Sequence, residues 1–236
     1  MAAEGLEPNV RRTWSLIAPP PGHYVEVQVY GPIGNLYAHA ASADELVAAA
    51  TWVDKQVPFF KAAYVVANPI SAERVLRDPA KPPGQWYHLL KGQSTTDKDV
   101  LCRANLYADF DVLRPTDTSA TDEELVLARA VTERAYLDIA AALGGYDAIA
   151  VGHSGNGCSL FLALEYLSET PELRQLITRV LHAVKTLYET DKVKIDAHLS
   201  DPKRLVPLFG TVKRKGPAND PLRPHRRTSL IVPEGV

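Results

Sequence analysis

The sequence predicts a mixed α/β fold, because segments typical of strands and of helices are interspersed along its 236 residues. Residues 23–30 (HYVEVQVY) alternate apolar and polar side chains, which is the pattern of a half-buried strand. The apolar run 63–67 (AYVVA) is typical of a strand buried on both faces. Ser42 and Thr121 each begin a capping box with a glutamate three positions later, and these motifs predict two helix starts.

The remaining elements follow from local patterns of the same kind. Residues 1–22 end in a proline-rich stretch and are expected to be flexible or extended. Residues 23–236 are expected to form a single domain in two parts, about 23–100 and 101–236. Helices are expected over about 43–56, 122–143, 171–189 and 202–209. Further strands are expected over 106–114, 147–151, 159–164, 193–195, 210–215 and 228–232. A long surface loop is expected over 78–98.

The composition excludes several classes of protein. Hydrophobic residues are 46% and charged residues 23% of the chain, which is ordinary for a soluble globular protein. No apolar run is long enough to span a bilayer, and residues 1–9 lack the apolar core of a signal peptide. Cys102 and Cys158 are isolated and are expected to be reduced. These features favour a cytoplasmic protein with no membrane partner.

Positive charge is concentrated near the carboxyl end. The segment 203–227 contains eight lysine or arginine residues and one acid, whereas the whole chain has a net charge of -2. Such a cluster suits a polyanion, such as DNA, RNA or a nucleoside triphosphate. The alternative is a solvated basic tail without a ligand.

The stretch 106–115 (LYADFDVLRP) is the centre of the predicted chemistry. Its alternation predicts a strand in which Asp109 and Asp111 share one face, opposite to the apolar residues. Two carboxylates this close repel each other unless a proton or a cation lies between them. Hard divalent ions such as Mg²⁺ and Mn²⁺ prefer such oxygen ligands. A pair of solvated loop or edge residues is the alternative.

A second feature is the segment 153–159 (HSGNGCS). Gly155 and Gly157 flank Asn156 and permit a tight turn with positive φ. Such a turn can aim several backbone N–H groups at one anion, and Ser154 and Asn156 would add side-chain donors. An ordinary hairpin turn is the alternative, because Asn-Gly is a common hairpin signal.

Two later features extend this set. Asp196 follows a short apolar strand and could form a carboxylate trio with Asp109 and Asp111, as sites that hold one or two metals for phosphoryl transfer do. It could equally cap the strand end. Arg204 and the segment 210–216 (GTVKRKG) offer a glycine for close backbone approach and cations for a triphosphate or a template backbone. A cationic surface turn is the alternative.

The order of these motifs resembles the archaeo-eukaryotic primase superfamily. It is most similar to the primase-polymerase domains of phages, plasmids and mobile elements, over about residues 23–234. The segments that carry the resemblance are 109–111 (DFD), 154–157 (SGNG), 195–196 (ID), Arg204 with 210–216, and, as in phage-type members, 64–69 (YVVANP) and 223–227 (RPHRR).

The resemblance implies an amino-terminal α/β unit packed on a sheet like that of RNA-recognition modules. It implies that Asp109, Asp111 and Asp196 bind Mg²⁺ or Mn²⁺ and carry catalysis. A 3′-hydroxyl would attack the α-phosphate of a dNTP or NTP on a single-stranded DNA template, and a helicase domain or protein could accompany the chain. The implied nucleotide contacts are His153, Ser154, Gly155, Asn156, Gly157, Ser159, Arg204 and Lys215, and the implied nucleic-acid contacts are Lys213, Arg214, Arg226 and Arg227.

One position departs from the pattern of this superfamily. Its second motif usually has a histidine two residues after the last glycine, where this chain has Ser159. His153 precedes the turn and lies across the predicted hairpin from Cys158. We therefore hypothesise that His153 takes over part of the role of the missing histidine.

We interpret the chain as a metal-dependent primase-polymerase. Retention of three acids favours an enzyme, because a carboxylate trio is costly to keep without a metal. Loss of the histidine favours a degenerate module that binds nucleotide or single-stranded DNA for a replication partner. A metal-dependent nuclease or another nucleotidyltransferase is a third reading, and a nuclease would release short products from DNA.

Overall fold

The computed structural model describes residues 5–32, 34–56, 59–90, 93–145 and 148–232. Within them the chain forms five α-helices, a short 3₁₀ helix and twelve strands, which confirms a mixed fold and specifies it as α+β with antiparallel sheets. The elements are α1 (Leu6–Ile17), β1 (Val25–Tyr30), β2 (Leu36–Ala40), α2 (Ala43–Lys55), β3 (Ala62–Val66), α3 (Ala72–Leu76), β4 (Tyr87–His88), the 3₁₀ helix (Asp97–Asp99), β5 (Arg103–Val112), α4 (Asp122–Leu143), β6 (Ile149–His153), β7 (Gly157–Leu167), α5 (Pro171–Tyr188), β8 (Val193–Ile195), β9 (Leu205–Pro207), β10 (Val212–Lys213), β11 (Arg226–Arg227) and β12 (Ser229–Ile231).

The first sheet has the strand order β4-β2-β1-β3-β9. Along β1, Val25, Val27 and Val29 are fully buried in the main hydrophobic cluster. Helix α2 packs against β1 and β2. Its start is the predicted one, since the Ser42 hydroxyl accepts a hydrogen bond from the Glu45 backbone N–H at 3.2 Å.

The second sheet has the strand order β12-β6-β7-β5-β8 and includes the stretch that we singled out from the sequence. Its central part runs along the chain as β5-α4-β6-β7-α5-β8. Helices α4 and α5 pack against it. Helix α4 has both halves of the predicted capping box at Thr121 and Glu124, and it ends at Gly144, whose φ of 78° satisfies a left-handed cap.

The predicted division near residue 100 separates most of the two sheets, but β9 crosses it. This strand comes from the second half of the chain and pairs with β3 of the first sheet. The predicted short helix over 202–209 is therefore wrong. The open edge of β3 gives this segment a partner, and Pro207 is tolerated because it lies on an edge strand. One hydrophobic cluster includes residues of both sheets.

The amino-terminal segment is a helix rather than the predicted flexible lead-in. Val10 and Ile17 of α1 are buried in the main cluster. The Asn9 carboxamide oxygen accepts a hydrogen bond from the Leu230 backbone N–H at 2.8 Å, and Asn105 donates to the Leu16 carbonyl. Helix α1 thus covers the edge of the second sheet at β12, so its stability comes from tertiary contacts.

The described part of the predicted loop 78–98 is mostly irregular, although β4 lies within it and pairs with β2. The predicted first residue of the strand 147–151 falls outside the described residues. In the parts of the chain that the structure describes, no helix combines the length and apolar character needed to cross a bilayer.

Candidate active site between the two sheets

The carboxylate pair lies on β5, as the alternation predicted. Phe110 is fully buried and Ala108 nearly so on one face of the strand. Asp109 and Asp111 project from the other face and are each partly accessible. The apolar face anchors β5 in the core, and the strand therefore holds both carboxylates in one place.

Crowding and burial change the protonation of Asp109. Burial, and next the charge of Asp111, raise the pKa of the Asp109 carboxyl to about 7, and Asp196 adds to the rise. Lys213 and a hydrogen bond from Tyr107 oppose it. Without a cation, Asp109 therefore holds its proton for much of the time near neutral pH.

Tyr107 and Ser159 accompany the carboxylates on the same face. The Tyr107 hydroxyl donates to Asp109 Oδ1 at 3.0 Å, and burial followed by the charge of Asp109 raises the Tyr107 pKa well above its usual value. Ser159 is directly opposite Asp109 in the β5–β7 register and is fully buried. The Ser159 hydroxyl makes no hydrogen bond of normal geometry in the described structure, although it is near enough to Tyr107 to lower that pKa.

Asp196 is brought near the pair without completing a trio. Strand β8 pairs Ile195 with Phe110, so Asp196 follows at the level of Asp109. Its side chain is exposed, and Asp196 Oδ1 accepts a hydrogen bond from the His198 backbone N–H at 2.8 Å. Among the described residues, no three His, Cys, Asp or Glu side chains converge as a metal site would require. The two β5 carboxylates fit a hard divalent cation by their chemistry, and the third ligand is not in place.

A cleft of about 430 Å³ opens beside the carboxylates. It lies between the two sheets, because its walls include residues of β1, β3 and β9 on one side and Asp111 on the other. The residues that line it are Tyr30, Lys61, Ala62, Tyr64, Asp111, Arg114, Asp117, Leu205, Lys213, Arg214, Lys215 and Gly216. Asp111 shares its wall with Arg114, whose Nη1 lies 3.5 Å from Asp111 Oδ1, and the other cations of the cleft, Lys61, Lys213, Arg214 and Lys215, form a basic wall.

Two of the predicted cations, Lys213 and Lys215, are available to a ligand in this cleft. Neither makes an ion pair of contact distance with a carboxylate in the described structure. Lys213 Nζ lies 5.9 Å from the centre of the Tyr64 ring. Burial, and then the charges of Arg114 and Lys213, lower the pKa of Lys215, while Asp111 opposes this. An anion in the cleft would relieve the repulsion among these cations.

The arginines of the basic segment have structural partners, which corrects the picture of a solvated tail. Arg214 and Arg227 both approach Asp54, at 3.9 Å and 3.0 Å. Arg226 contacts Asp122 at 2.8 Å. These pairs attach β10 and β11 to the rest of the molecule, so Arg214, Arg226 and Arg227 are less free to contact nucleic acid than the sequence suggested.

Arg204 is also engaged away from the cleft. Its guanidinium donates to the Asp201 carboxylate and to the His198 carbonyl. Its backbone carbonyl accepts from the Ala67 N–H at 2.9 Å, which helps to hold β9 beside β3. The structure does not place the Arg204 side chain among the residues lining the cleft.

The turn at 154–157 is tight, as predicted, and its polar side-chain atoms bond within the protein, except for the buried Asn156 Nδ2, which has no hydrogen-bond partner in the described structure. Gly155 has a φ of 79°. Ser154 and Asn156 are buried, and Asn156 Oδ1 accepts from the Ala120 N–H at 2.9 Å. Ser154 Oγ accepts from the Asn156 N–H at 3.3 Å. These contacts favour the hairpin interpretation over a phosphate nest that uses both side chains.

Gly157 has a role that the sequence did not reveal. A Cβ at this position would lie 2.4 Å from the Phe110 carbonyl oxygen and 2.7 Å from Asp111 Oδ1. Such distances are far below van der Waals contact. Glycine is therefore needed here to let β7 approach the Asp111 carboxylate closely.

The placement of His153 contradicts the hypothesis that it replaces the missing histidine. His153 pairs with Cys158, which in turn pairs with Phe110, whereas Ser159 pairs with Asp109. Paired residues point to the same side of a sheet and neighbours point to opposite sides. His153 therefore lies on the face opposite to the carboxylates, with its Nδ1 3.2 Å from Cys158 Sγ.

This histidine–cysteine pair is not an activated nucleophile. Burial raises the pKa of the Cys158 thiol to about 12, and burial and the charge of Arg129 lower the pKa of His153. Both groups are therefore neutral near pH 7. Cys102 and Cys158 are buried free cysteines, which agrees with the prediction for both.

Sequence reasoning missed several cleft residues. The alternation in 23–30 places Tyr30 on the face opposite to the valines, but nothing in the sequence shows that this face borders the cleft, and Tyr64 lies in a continuous apolar run without alternation. Lys61 carries no motif, and only the fold brings it to the cleft, whereas Arg114 lies three positions after Asp111 in the predicted central stretch.

Comparisons of the chain with protein-family models, with curated proteins and with solved structures found no match.

The raised pKa of Asp109 predicts an unusual pH dependence of stability. The folded state holds a proton between about pH 4 and pH 7 that the unfolded state releases, so the free energy of unfolding falls as the pH rises through this window. The full shift corresponds to at most about 4 kcal/mol, and partial exposure of the carboxyl reduces it. Asp109→Asn should therefore be more stable than the wild type at pH 8 in EDTA, by about 1–3 kcal/mol in urea denaturation.

The control is Asp191→Asn, which changes an exposed aspartate on the surface. It should follow the wild type at pH 5 and at pH 8. Equal pH dependence in the wild type and in Asp109→Asn would show that Asp109 does not carry the excess proton.

Proposed function

We propose that the chain is a template-dependent nucleotidyltransferase of the primase-polymerase type that uses Mg²⁺ or Mn²⁺. The observation that carries this proposal is the crowded pair Asp109 and Asp111, because Asp111 lines a cleft that also holds the lysines of the basic wall. A site of this kind can bind a divalent cation and a polyphosphate side by side. Nucleotidyl transfer requires that combination.

Asp109 and Asp111 would hold the cation, with Asp196 as the third ligand once its side chain turns toward them. The cation, when bound, would stabilise negative charge on the oxygens of the reacting phosphate. Because metal ligands must be deprotonated, binding would remove the proton from Asp109. The Tyr107 hydroxyl would keep the Asp109 carboxylate in a fixed orientation through its hydrogen bond.

The basic wall would bind the phosphates of the nucleotide. Lys61, Lys213 and Lys215 line the cleft without an ion pair to a carboxylate in the described structure, whereas Arg114 pairs with Asp111 at 3.5 Å. Partial burial strengthens attraction between these groups and a phosphate, because the effective dielectric constant is lower than in water. The triphosphate would then lie between these lysines and the carboxylate pair.

The topology supports the finer fold assignment within this proposal. The order β5-α4-β6-β7-α5-β8, with the sheet order β6-β7-β5-β8 and both helices packed against the sheet, is that of an RNA-recognition module. The first sheet with α2 would then be the amino-terminal unit of the archaeo-eukaryotic primase fold. The carboxylates occupy the face of β5 that looks toward this unit.

The remaining expectations belong to the same proposal. The template would be single-stranded DNA, the substrates dNTP or NTP, and the setting the cytoplasmic replication of a phage, plasmid or mobile element. A helicase domain or protein would be the natural companion of such a chain.

A degenerate binding module is the second candidate. Two observations favour it: Ser159 stands where the resembled superfamily has a histidine, and no three acidic or histidine ligands converge in the described structure. Such a module would bind nucleotide or DNA through the basic wall without synthesis.

The test of the proposed function is synthesis on a single-stranded DNA template with Mg²⁺ or Mn²⁺, with and without a primer, and with dNTPs or NTPs. We expect product with the wild type and at least a hundredfold loss with Asp109→Asn or Asp111→Asn, because removing a metal ligand removes charge stabilisation from the transition state. Denaturant unfolding should show that both variants stay folded.

The matched control is Asp117→Asn. Asp117 also lines the cleft, and asparagine tolerates its positive φ of 57°. It should retain synthesis. Absence of product from the wild type, with nucleotide still bound, would replace the enzyme by the binding module. Shortening of the DNA would point to a nuclease.

Lys213 offers a separate test of the basic wall. Lys213→Ala should weaken the binding of inorganic triphosphate by about three- to tenfold and flatten its salt dependence, because one phosphate contact is lost. Lys203→Ala is the matched control, since Lys203 is an exposed lysine of the same segment that does not line the cleft. If the two variants weakened binding equally, the effect would belong to net charge and not to the cleft.

A further inference from the structure

A chain of buried hydrogen bonds runs along β1 and ends at the wall of the cleft. Glu26 is fully buried, and Gln28 Nε2 donates to Glu26 Oε1 at 2.6 Å. Tyr30, which lines the cleft, donates its hydroxyl proton to Gln28 Oε1. Glu26, Gln28 and Tyr30 alternate along the strand and therefore share one face.

The buried end of this chain is an ionised carboxylate. Burial raises the pKa of Glu26. The hydrogen bond and the charge of His39 lower this pKa, as do hydrogen bonds from Thr95 and Gln28. The lowering effects are larger, so the pKa of Glu26 lies below its usual value. His39 Nε2 lies 3.0 Å from Glu26 Oε2, and the Thr95 hydroxyl contacts the same oxygen. Glu26 can therefore only accept hydrogen bonds.

An acceptor at one end fixes the direction of every bond in the chain. The Gln28 carboxamide must turn its NH₂ group toward Glu26, because its oxygen would be repelled there. The Gln28 oxygen consequently faces Tyr30 and takes the phenol proton. The Tyr30 oxygen is left with lone pairs and no proton to offer to a ligand in the cleft.

We infer that Tyr30 accepts a hydrogen bond from a donor group of the nucleotide bound in this cleft, either a sugar hydroxyl or a base amino group. This inference rests on the proposed function. A phosphate oxygen has no proton to give and would be repelled by the Tyr30 oxygen, whereas Lys213 and Lys215 attract it. The cleft therefore orients its ligand, with the phosphates at the lysines and the nucleoside at Tyr30.

The neighbouring tyrosine gives a matched comparison. The rings of Tyr30 and Tyr64 meet edge to face with centres 5.7 Å apart, and both line the cleft. Burial and the charges of Asp109 and Asp111 raise the pKa of Tyr64, whose hydroxyl takes no part in the Glu26 chain. Tyr64→Phe thus removes a hydroxyl from the same wall without touching the proposed acceptor.

The experiment is calorimetric titration of wild type, Tyr30→Phe and Tyr64→Phe with four ligands in the presence of Mg²⁺. The ligands are ATP, 2′,3′-dideoxy-ATP, purine riboside triphosphate (which lacks the base amino group) and inorganic triphosphate. Tyr30→Phe should weaken ATP binding by about two- to tenfold, the effect of one lost hydrogen bond, and leave inorganic triphosphate unchanged. Tyr64→Phe should not show this pattern.

The two nucleotide analogues distinguish the source of the donor. If Tyr30→Phe no longer weakens binding when the ligand is dideoxy-ATP, the donor is a sugar hydroxyl. If Tyr30→Phe no longer weakens binding when the ligand is purine riboside triphosphate, the donor is the base amino group. A penalty that persists with both analogues, or that is equal for inorganic triphosphate, or that is absent with ATP, overturns the inference. In these cases the proposed function still holds, provided that the wild type binds ATP and that Lys213→Ala weakens this binding. Failure of the wild type to bind ATP and inorganic triphosphate overturns both.

Discussion

The alternation of side chains along β5 is the constraint on which the rest of the site depends. One face of this strand carries Phe110 in the core beneath α4 and α5, and the other carries Asp109 and Asp111. Because apolar burial keeps β5 in register with β7 and β8, the two carboxylates cannot move apart to relieve their repulsion. The core thus holds a charge arrangement that is unfavourable in itself.

Two neighbouring groups partly offset the repulsion between the carboxylates. Lys213 and Tyr107 both lower the pKa of Asp109, which partly offsets burial and the charge of Asp111. The carboxyl-terminal segment supplies Lys213, and ion pairs such as that of Arg227 with Asp54, together with the backbone hydrogen bond from Arg214 to Lys61, attach this segment beside the cleft. In the basic segment, the arginines therefore form structural ion pairs, whereas Lys213 and Lys215 remain available to a ligand.

The sequence predicted those features that depend on local periodicity and failed where distant segments meet. Alternation located the carboxylate face, and the capping box at Thr121 located the start of α4. The helix at the amino terminus was missed because its stability comes from contacts with β12, which is more than two hundred residues away. The segment at Leu205 was misjudged because β3, and not its own sequence, makes it a strand.

The error over His153 has the same physical origin on a smaller scale. Proximity in a hairpin suggested that His153 could take over part of the role of the missing histidine, but proximity does not specify a face. A change of one position along a strand moves a side chain to the other side of the sheet. The face that His153 occupies depends on the register between β6, β7 and β5. This register cannot be read from the pattern of a single strand.

Asp109, crowded by Asp111, holds a proton that a divalent cation would displace. The most direct measurement is Mn²⁺ binding followed by the loss of the free-ion electron paramagnetic resonance signal at pH 6 and pH 8, in wild type and in Asp109→Asn. We expect the wild type to bind Mn²⁺ about tenfold more tightly at pH 8 than at pH 6, because the carboxyl titrates near pH 7, and the variant to bind weakly at both pH values. Binding that is equally tight in the variant, or equally tight at both pH values in the wild type, would contradict the account.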